Sequence, residues 1–348
     1  MPQKRENTSE RKKEHLQICI KRDVSFKTKS NGFENYEFEH YALTEVEIDK
    51  IDFKTVFFGK KVNYPFIISC MTGGTEKSVS INRYLAEAAK ELNIPIGVGS
   101  QRQALEDRKH LDSFKVIRKE AGNVPVLGNI GGAEIASAEK PADLIKKLIE
   151  MIEADAMVIH LNPLQELFQK DGDPSFKGLL KAIEKTCSSI EIPVIVKEVG
   201  AGISAAAAEK LIETGVKGID VAGAGGTNWA AVEMIRNKNN DPYFREWGIP
   251  TSYCIKEINK LKKRRSFTLI ASGGINTGID AAKSLALGAD YTASARIILQ
   301  SAVEKKAEGV VDLVKNWFSA VSKVMYLTGA GNLREFAKVK LIKREDFF

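Results

Sequence analysis

The densest concentration of reactive side chains is the run His160-Leu161-Asn162-Pro163-Leu164-Gln165-Glu166, which follows the apolar stretch Ala156-Met157-Val158-Ile159. An imidazole, two carboxamides and a carboxylate at this spacing can bind a metal or move a proton. Pro163 forbids a regular helix through the run, which therefore reads as a strand end passing into a loop. In a barrel of alternating strands and helices, chemistry sits at that end of the strands.

Within the run, Glu166 is a hard carboxylate suited to Mg²⁺, which takes one or two carboxylates and fills its shell with water and phosphate oxygens. Gln165 is neither a strong acid nor a strong base, so it relays a proton or orients a substrate. His160 is a ligand candidate, although a lone histidine at a strand end also serves as a satisfied core residue.

Elsewhere, Lys197 ends the apolar run Pro193-Val194-Ile195-Val196. A lysine there points into the barrel mouth, where losing water is costly unless an anion is near. That anion is a ligand or a carboxylate such as Glu198 or Asp220. Ser272-Gly273-Gly274-Ile275-Asn276 and Ala293-Ser294-Ala295-Arg296 form a second group. Glycines bring backbone N–H groups close to a ligand, a following helix presents its positive end, and Arg296 adds a permanent cation. These two loops are expected to cradle a phosphate. Gly223-Ala224-Gly225-Gly226-Thr227-Asn228 is another small-residue loop where backbone approaches ligand.

Positioning these groups requires elements. Eight runs read as buried parallel strands, apolar throughout rather than alternating. They are Phe66–Cys70, Pro95–Gly99, Pro125–Asn129, Ala156–His160, Pro193–Lys197, Gly218–Ala222, Leu269–Ser272 and Tyr291–Ser294. Between them, Ile81–Leu92 has helical apolar spacing and Ala142–Ile152 follows Pro141, a first-turn residue. Ser204 and Thr277 are N-cap candidates for helices reaching Ile212 and Leu287. Eight such repeats in about 250 residues match an α/β fold, the (β/α)8 TIM barrel, over residues 61–348. The turn Met71-Thr72-Gly73-Gly74-Thr75 carries no GxGxxG fingerprint, which argues against an open doubly wound sheet. Residues 1–60 form an N-terminal extension that contributes to the substrate site, with Glu45–Asp52 and Phe57–Asn63 capping the barrel. The segment 236–250 is an exposed excursion, read as a surface insertion ahead of a lid.

Composition narrows the class. Of 348 residues, 43% are hydrophobic and 28% charged, ordinary for a globular protein. No apolar run approaches the length of a membrane span. Met1–Glu14 lacks the apolar core of a signal peptide, so cytoplasm is the expected location. The net charge of +7 is spread over many predicted helix faces, which points to solvated faces or a small anion rather than nucleic acid. Cys19, Cys70, Cys187 and Cys254 lack CxxC spacing, so neither a zinc site nor a disulfide framework is indicated.

Several motifs, in order along almost the whole chain, resemble the type 2 isopentenyl-diphosphate isomerases, the flavin-dependent kind. They are Arg11-Lys12-Lys13-Glu14-His15, Met71-Thr72-Gly73-Gly74, Gly99-Ser100-Gln101-Arg102, Gly128-Asn129-Ile130-Gly131, the His160–Glu166 run, Lys197-Glu198-Val199-Gly200, Gly225-Gly226-Thr227 and Ser272-Gly273-Gly274-Ile275. The His160–Glu166 run is highly specific, whereas the Gly-Gly-Ile loop is shared by many flavin barrels. The resemblance implies an FMN-dependent barrel using reduced flavin and Mg²⁺, with NADPH as the reductant, and interconverting isopentenyl and dimethylallyl diphosphate. It also implies a homo-oligomer, tetramer or octamer.

By matching position, FMN would contact Cys70, Met71, Thr72, Gly73, Ser100, Asn129, Lys197 and Thr227. Its phosphate would lie on Gly274, Ile275, Asn276, Ala295 and Arg296. The diphosphate substrate would be held by Arg11, Lys12, His15, Ser100, Gln101 and Arg102. Gln165 would lie beside the hydrocarbon and act with flavin N5, while His160 and Asn162 would bind the diphosphate or metal waters and Glu166 the Mg²⁺. Asn276 stands where the family usually carries a basic residue, and Arg296 interrupts its usual Ala-Leu-Pro; both departures sit at the cofactor phosphate.

The nearest alternative is an FMN-dependent α-hydroxyacid oxidase or dehydrogenase. Such an enzyme needs a histidine base after the later strands, and the last histidine here is His160. An inosinate-dehydrogenase type needs a nucleophilic cysteine in a glycine-rich loop, a setting that neither Cys187 nor Cys254 has. A silent barrel would have lost Gln165-Glu166 or Ser100-Gln101-Arg102, and both are retained.

Overall fold

The computed structural model describes residues 8–239 and 241–347. The strands in chain order are β1 (Tyr36–Phe38), β2 (Thr55–Phe57), β3 (Lys60–Val62), β4 (Phe66–Ile68), β5 (Ile96–Gly97), β6 (Val126–Gly131), β7 (Ala156–Leu161), β8 (Val194–Glu198), β9 (Gly218–Asp220), β10 (Thr268–Ala271), β11 (Tyr291–Ser294) and β12 (Leu341–Lys343). Strands β4 to β11 close into a parallel barrel, with β11 returning to β4. They are the eight apolar runs expected to be buried, and the fold is a (β/α)8 barrel.

The helices are α1 (Thr8–Lys21), α2 (Glu76–Leu92), α3 (Arg102–Glu106), α4 (Asp112–Ala121), α5 (Gly132–Ser137), α6 (Pro141–Ile152), α7 (Pro163–Phe168), α8 (Leu179–Ser189), α9 (Ala205–Glu213), α10 (Trp229–Asn237), α11 (Pro242–Arg245), α12 (Thr251–Asn259), α13 (Gly278–Ala286), α14 (Arg296–Leu327) and α15 (Leu333–Phe336). Their starts follow local chemistry. Ser204 Oγ accepts from Ala207 N–H at 3.2 Å to cap α9. At α13, Thr277 Oγ1 accepts from Asp280 N–H at 3.1 Å while Asp280 accepts from Thr277 N–H at 2.9 Å, a reciprocal capping box.

One local expectation fails. Pro163 does not exclude a helix but opens α7, because the first helical N–H has no partner to lose. The long α14, bent at Lys305 and Lys306 where the backbone leaves helical geometry, is not foreshadowed by the sequence reading.

At the amino ends of the strands the barrel is plugged by the β2–β3 hairpin. Phe57 and Val62 pack beneath Ile67, Leu127, Val158, Ile195, Ile270 and Ala293, and the Phe57 ring meets Tyr291 edge-on at 5.0 Å. Truncating such a buried phenylalanine to alanine costs about 3–5 kcal/mol. The hairpin straddles residue 60, and β1 pairs antiparallel with β12 near the C-terminus, so the extension is stitched to the barrel at both ends of the chain. With one end closed, ligands have the carboxyl ends of the strands.

Candidate functional site

Register builds the first wall. In the parallel ladder Gly131 lies opposite His160, His160 opposite Lys197, and Lys197 opposite Asp220. Parallel partners project to the same face, so these side chains form one layer at the barrel mouth. Lys197 Nζ lies 3.1 Å from Asp220 Oδ2 and donates to Ser272 Oγ at 3.1 Å, while Ser272 Oγ donates to Asp220 Oδ1. Lys197 is paired with Asp220, one of the two carboxylates considered for it, and it also lines the cavity. His160 Nδ1 contacts Asn129 Oδ1 at 2.9 Å. Burial pushes the His160 imidazole below its usual range, and Glu134 only partly opposes this.

The His160–Glu166 run turns at α7. Asn162 Nδ2 donates to Glu166 Oε1 at 2.7 Å, and Asp173 N–H donates to Glu166 Oε2 at 2.7 Å. Burial raises the Glu166 carboxyl, with those two donors pulling the other way. Gln165 Nε2 donates to Glu233 Oε1 at 3.0 Å.

Glu233 is a residue that the sequence reading missed. Its side chain is fully buried, with His15 Nε2 at 2.7 Å from Oε1 and Arg236 at 2.7 Å from Oε2. Burial raises its carboxyl, but His15, Gln165 and Arg236 outweigh that and hold it down to about 2. The available signal was an acidic residue inside the apolar run Ala230-Ala231-Val232-Glu233-Met234, just after the N-cap Asn228. Trp229 was missed too; it meets the His15 ring edge-on at 5.3 Å.

The opposite wall comes from outside the sheet. Helix α1 presents Arg11, Lys12 and His15 to the cavity. Lys12 Nζ donates to the Ser100 carbonyl at 2.9 Å and sits 5.5 Å from the Phe114 ring centre. Burial and the neighbouring Arg11 bring its ammonium down to about 7. Arg102 is held by Glu106 and by Glu134, each at 2.8 Å; Glu134, like Trp229, is a cavity residue not anticipated.

Between these walls lies a cavity of about 510 Å³, within the range of small-molecule sites. Cys70, Met71, Thr72, Gly73, Ser100, Asn129, Asn162, Gln165, Glu166, Thr227, Gly274, Asn276, Ala295 and Arg296 also line it. Two expected site residues do not. Gln101 is fully buried, its amide N–H₂ donating to the Leu148 carbonyl at 2.9 Å and its oxygen accepting from Asn129 N–H at 3.0 Å. It braces β6 from behind, so its side chain is withdrawn from the assigned substrate role. Ile275 is likewise turned into the core, leaving only its backbone near the loop.

The donor set fits a flavin mononucleotide. Gly273 and Gly274 sit at φ +96° and +73°, and a Cβ on them would come within 2.2 Å of Gly223 O and 2.5 Å of Gly225 O. The loops after β9 and β10 thus close backbone to backbone, leaving a cradle without side chains. Arg296 borders it, and Lys197 offers a buried ammonium on the other side. Asn276 N–H is taken by Asp280 at 3.1 Å, so position 276 offers its side chain instead. For a metal, no group of three or more His, Cys, Asp or Glu side chains is poised among the described residues. Glu166 alone suits Mg²⁺, which accepts a single carboxylate when phosphate oxygens and water complete its shell.

Comparison with known proteins agrees with this geometry. The model of the FMN-dependent dehydrogenase family matches residues 4–113 and 133–343. The chain is 45% identical to isopentenyl-diphosphate delta-isomerase of Chlorobium limicola, with 96% of each chain covered. It is 44% identical to the enzyme of that name from Nostoc sp., covering 94% of this chain and 93% of the relative. Among solved structures, the lactate oxidase (named as putative) of Pediococcus acidilactici superposes with TM-score 0.70 at 15% identity, covering 96% and 94% of the two chains. A mandelate oxidase does so with TM-score 0.67 at 13% identity, covering 94% and 95%. At these identities the oxidases share the fold.

Proposed function

We infer the function from a premise the comparisons supply: the chain belongs to the isopentenyl-diphosphate delta-isomerases of type 2, within the FMN-dependent dehydrogenase family. It is an FMN-dependent isomerase that interconverts isopentenyl and dimethylallyl diphosphate. The observation that carries this reading is the meeting of two walls in one cavity. A flavin-sized cradle faces a cationic helix, and no histidine follows His160 to serve as an oxidase base.

When bound, reduced FMN supplies an electron-rich ring that can exchange a proton with an alkene. The remaining work falls to the chain. Lys197, fixed by Asp220 and Ser272, places a cation against the cofactor cradle. Arg11, Lys12 and His15, with Arg102 across the cavity, neutralise the diphosphate and fix its orientation. Glu166 takes the Mg²⁺, and Asn162 aims that carboxylate. His160, neutral through burial, accepts or donates a hydrogen bond to the diphosphate or its metal waters without adding charge.

Gln165 is clamped by Glu233 at 3.0 Å, so its carboxamide is oriented rather than free to rotate. A glutamine is a poor acid alone. Hydrogen-bonded to an ionised Glu233, its carboxamide oxygen can take a proton leaving the substrate carbon while its amide N–H passes one to the carboxylate. Arg11, Lys12 and His15 border the same cavity. We place the reductant as NADPH, the location as cytoplasm and the assembly as a homo-oligomer; for the location, no helix among the described residues is long and apolar enough to cross a membrane.

The test is anaerobic incubation with isopentenyl diphosphate, Mg²⁺ and FMN, with and without NADPH or dithionite, followed by proton NMR in D₂O. Dimethylallyl diphosphate is expected only with reduced flavin. No conversion with bound, reduced FMN would overturn the reading.

A further inference from the structure

The cations of α1 enter the cavity because the chain that follows is sewn across the barrel mouth. Asn228 N–H donates to the Val24 carbonyl at 2.8 Å, Ser25 bridges Thr227, and Asn31 Nδ2 donates to the Gly274 carbonyl at 2.7 Å. Between these anchors, the backbone amides of residues 27–29 all meet one side chain. Glu246 Oε1 accepts from Lys27 N–H at 2.8 Å; Oε2 accepts from Thr28 N–H at 3.1 Å, Thr28 Oγ1 at 3.0 Å and Lys29 N–H at 3.2 Å. Lys29 Nζ completes the seam by donating to the carbonyls of Glu246 and Gly248, each at 2.7 Å.

We propose that Glu246 is a positioning residue. It latches the strap over residues 24–31 onto the barrel mouth and so sets the affinity for the diphosphate through Arg11, Lys12 and His15. The proposal rests on the isomerase reading for the identity of the ligand.

Three consecutive amides converging on one carboxylate form an anion nest filled by the protein's own side chain. Charge-assisted bonds of this kind are about twice as strong as neutral ones. Burial would raise the Glu246 carboxyl, yet the amides and hydroxyl outweigh it and hold it below the usual range, so the latch stays ionised at neutral pH. Glu246 does not line the cavity, and its effect must therefore travel along the strap. The strap's end at α1 is also gripped by Glu233 and by the pair Arg236–Glu14 at 2.9 Å. Releasing the latch therefore loosens α1 without unfolding it. The segment 236–250 is in this sense neither a bare insertion nor a lid: it carries the catch for the strap.

The experiment uses the FMN-loaded enzyme and Glu246→Ala, Glu246→Gln and Lys29→Met. For Glu246→Ala, KM for isopentenyl diphosphate should rise about tenfold with kcat within twofold, the pattern of lost uniform binding. Inorganic pyrophosphate, titrated calorimetrically, should weaken by the same factor, and trypsin should cut faster at Lys21, Arg22, Lys27 and Lys29. Glu246→Gln keeps one acceptor oxygen and should fall between. Lys29→Met, which spares the carboxylate, should shift KM the same way by a smaller factor, and it decides the matter if Glu246→Ala fails to fold. Faster proteolysis with unchanged KM and pyrophosphate affinity would overturn the proposal, as would a fall in kcat at constant KM. Weaker pyrophosphate binding by Glu246→Ala than by the wild type, with a wild type that never isomerises, would sink the isomerase reading while the latch stands.

Discussion

The two walls of the cavity are built in opposite ways. Lys197 and Asp220 are register partners on adjacent strands and Ser272 directly follows the next strand, β10, so the barrel backbone puts ammonium, carboxylate and hydroxyl within reach. Arg11, Lys12 and His15 lie on a helix far away in sequence, held by side-chain contacts to α10 and by the strap at the mouth. A wall fixed by a barrel cannot yield without breaking the sheet. A wall fixed by a docked helix can loosen, and ligand affinity loosens with it. Under the proposed function, chemistry that needs a preorganised cation falls to the first wall and capture of the charged substrate to the second.

Glu233 joins the walls, so changing it should have the largest effect. Glu233→Gln keeps the shape but removes the charge facing His15 and Arg236; kcat should fall by about 10²-fold or more, the range for positioned proton-transfer groups. Flavin should stay bound. A steady-state assay beside a flavin absorption spectrum checks both, and a normal kcat would show that the walls act independently.

On the sheet wall, Lys197→Met strands Asp220 as a buried carboxylate with Ser272 as its remaining donor. Removing one partner of a buried pair costs about 3–5 kcal/mol. Denaturant midpoints should fall accordingly and FMN should bind more weakly. If stability holds, the pair is less enclosed than its geometry indicates.

The helix wall should show itself through pH. Lys12 is brought to about 7 when free, against 10.5 for an ordinary lysine. Between those values the unfolded chain holds more protons than the folded one, so this residue makes stability rise with pH. A bound diphosphate favours the charged amine, and binding above pH 7 should therefore take up a proton. Calorimetry in buffers of different ionisation enthalpy should detect that uptake in the wild type and find less in Lys12→Met. Equal uptake in both would remove Lys12 from the anion site.

Much of this molecule is local. The apolar runs specify the eight strands because a parallel strand buried on both faces has no polar alternation to show. Ser204 and Thr277 mark helix starts because an N-cap oxygen meets amides two or three residues away. The loop after β10 is legible through glycine, since Gly273 and Gly274 adopt left-handed backbone that other residues resist.

Partnership is where the sequence falls silent. Nothing around Glu233 announces that His15, 218 positions earlier, will meet it, or that Gln165 will share the same oxygen. Gln101 sits between two cavity residues in the sequence, yet its side chain turns behind β6, because rotamer and neighbouring volume choose the direction. Glu246 reads as one more surface acid until the strap is laid over it. The sequence by itself determined which groups exist and which stretches extend or coil, through forces that act over a few residues. The tertiary structure decided which groups meet, because closing the barrel and docking α1 bring together residues whose separation no local pattern records.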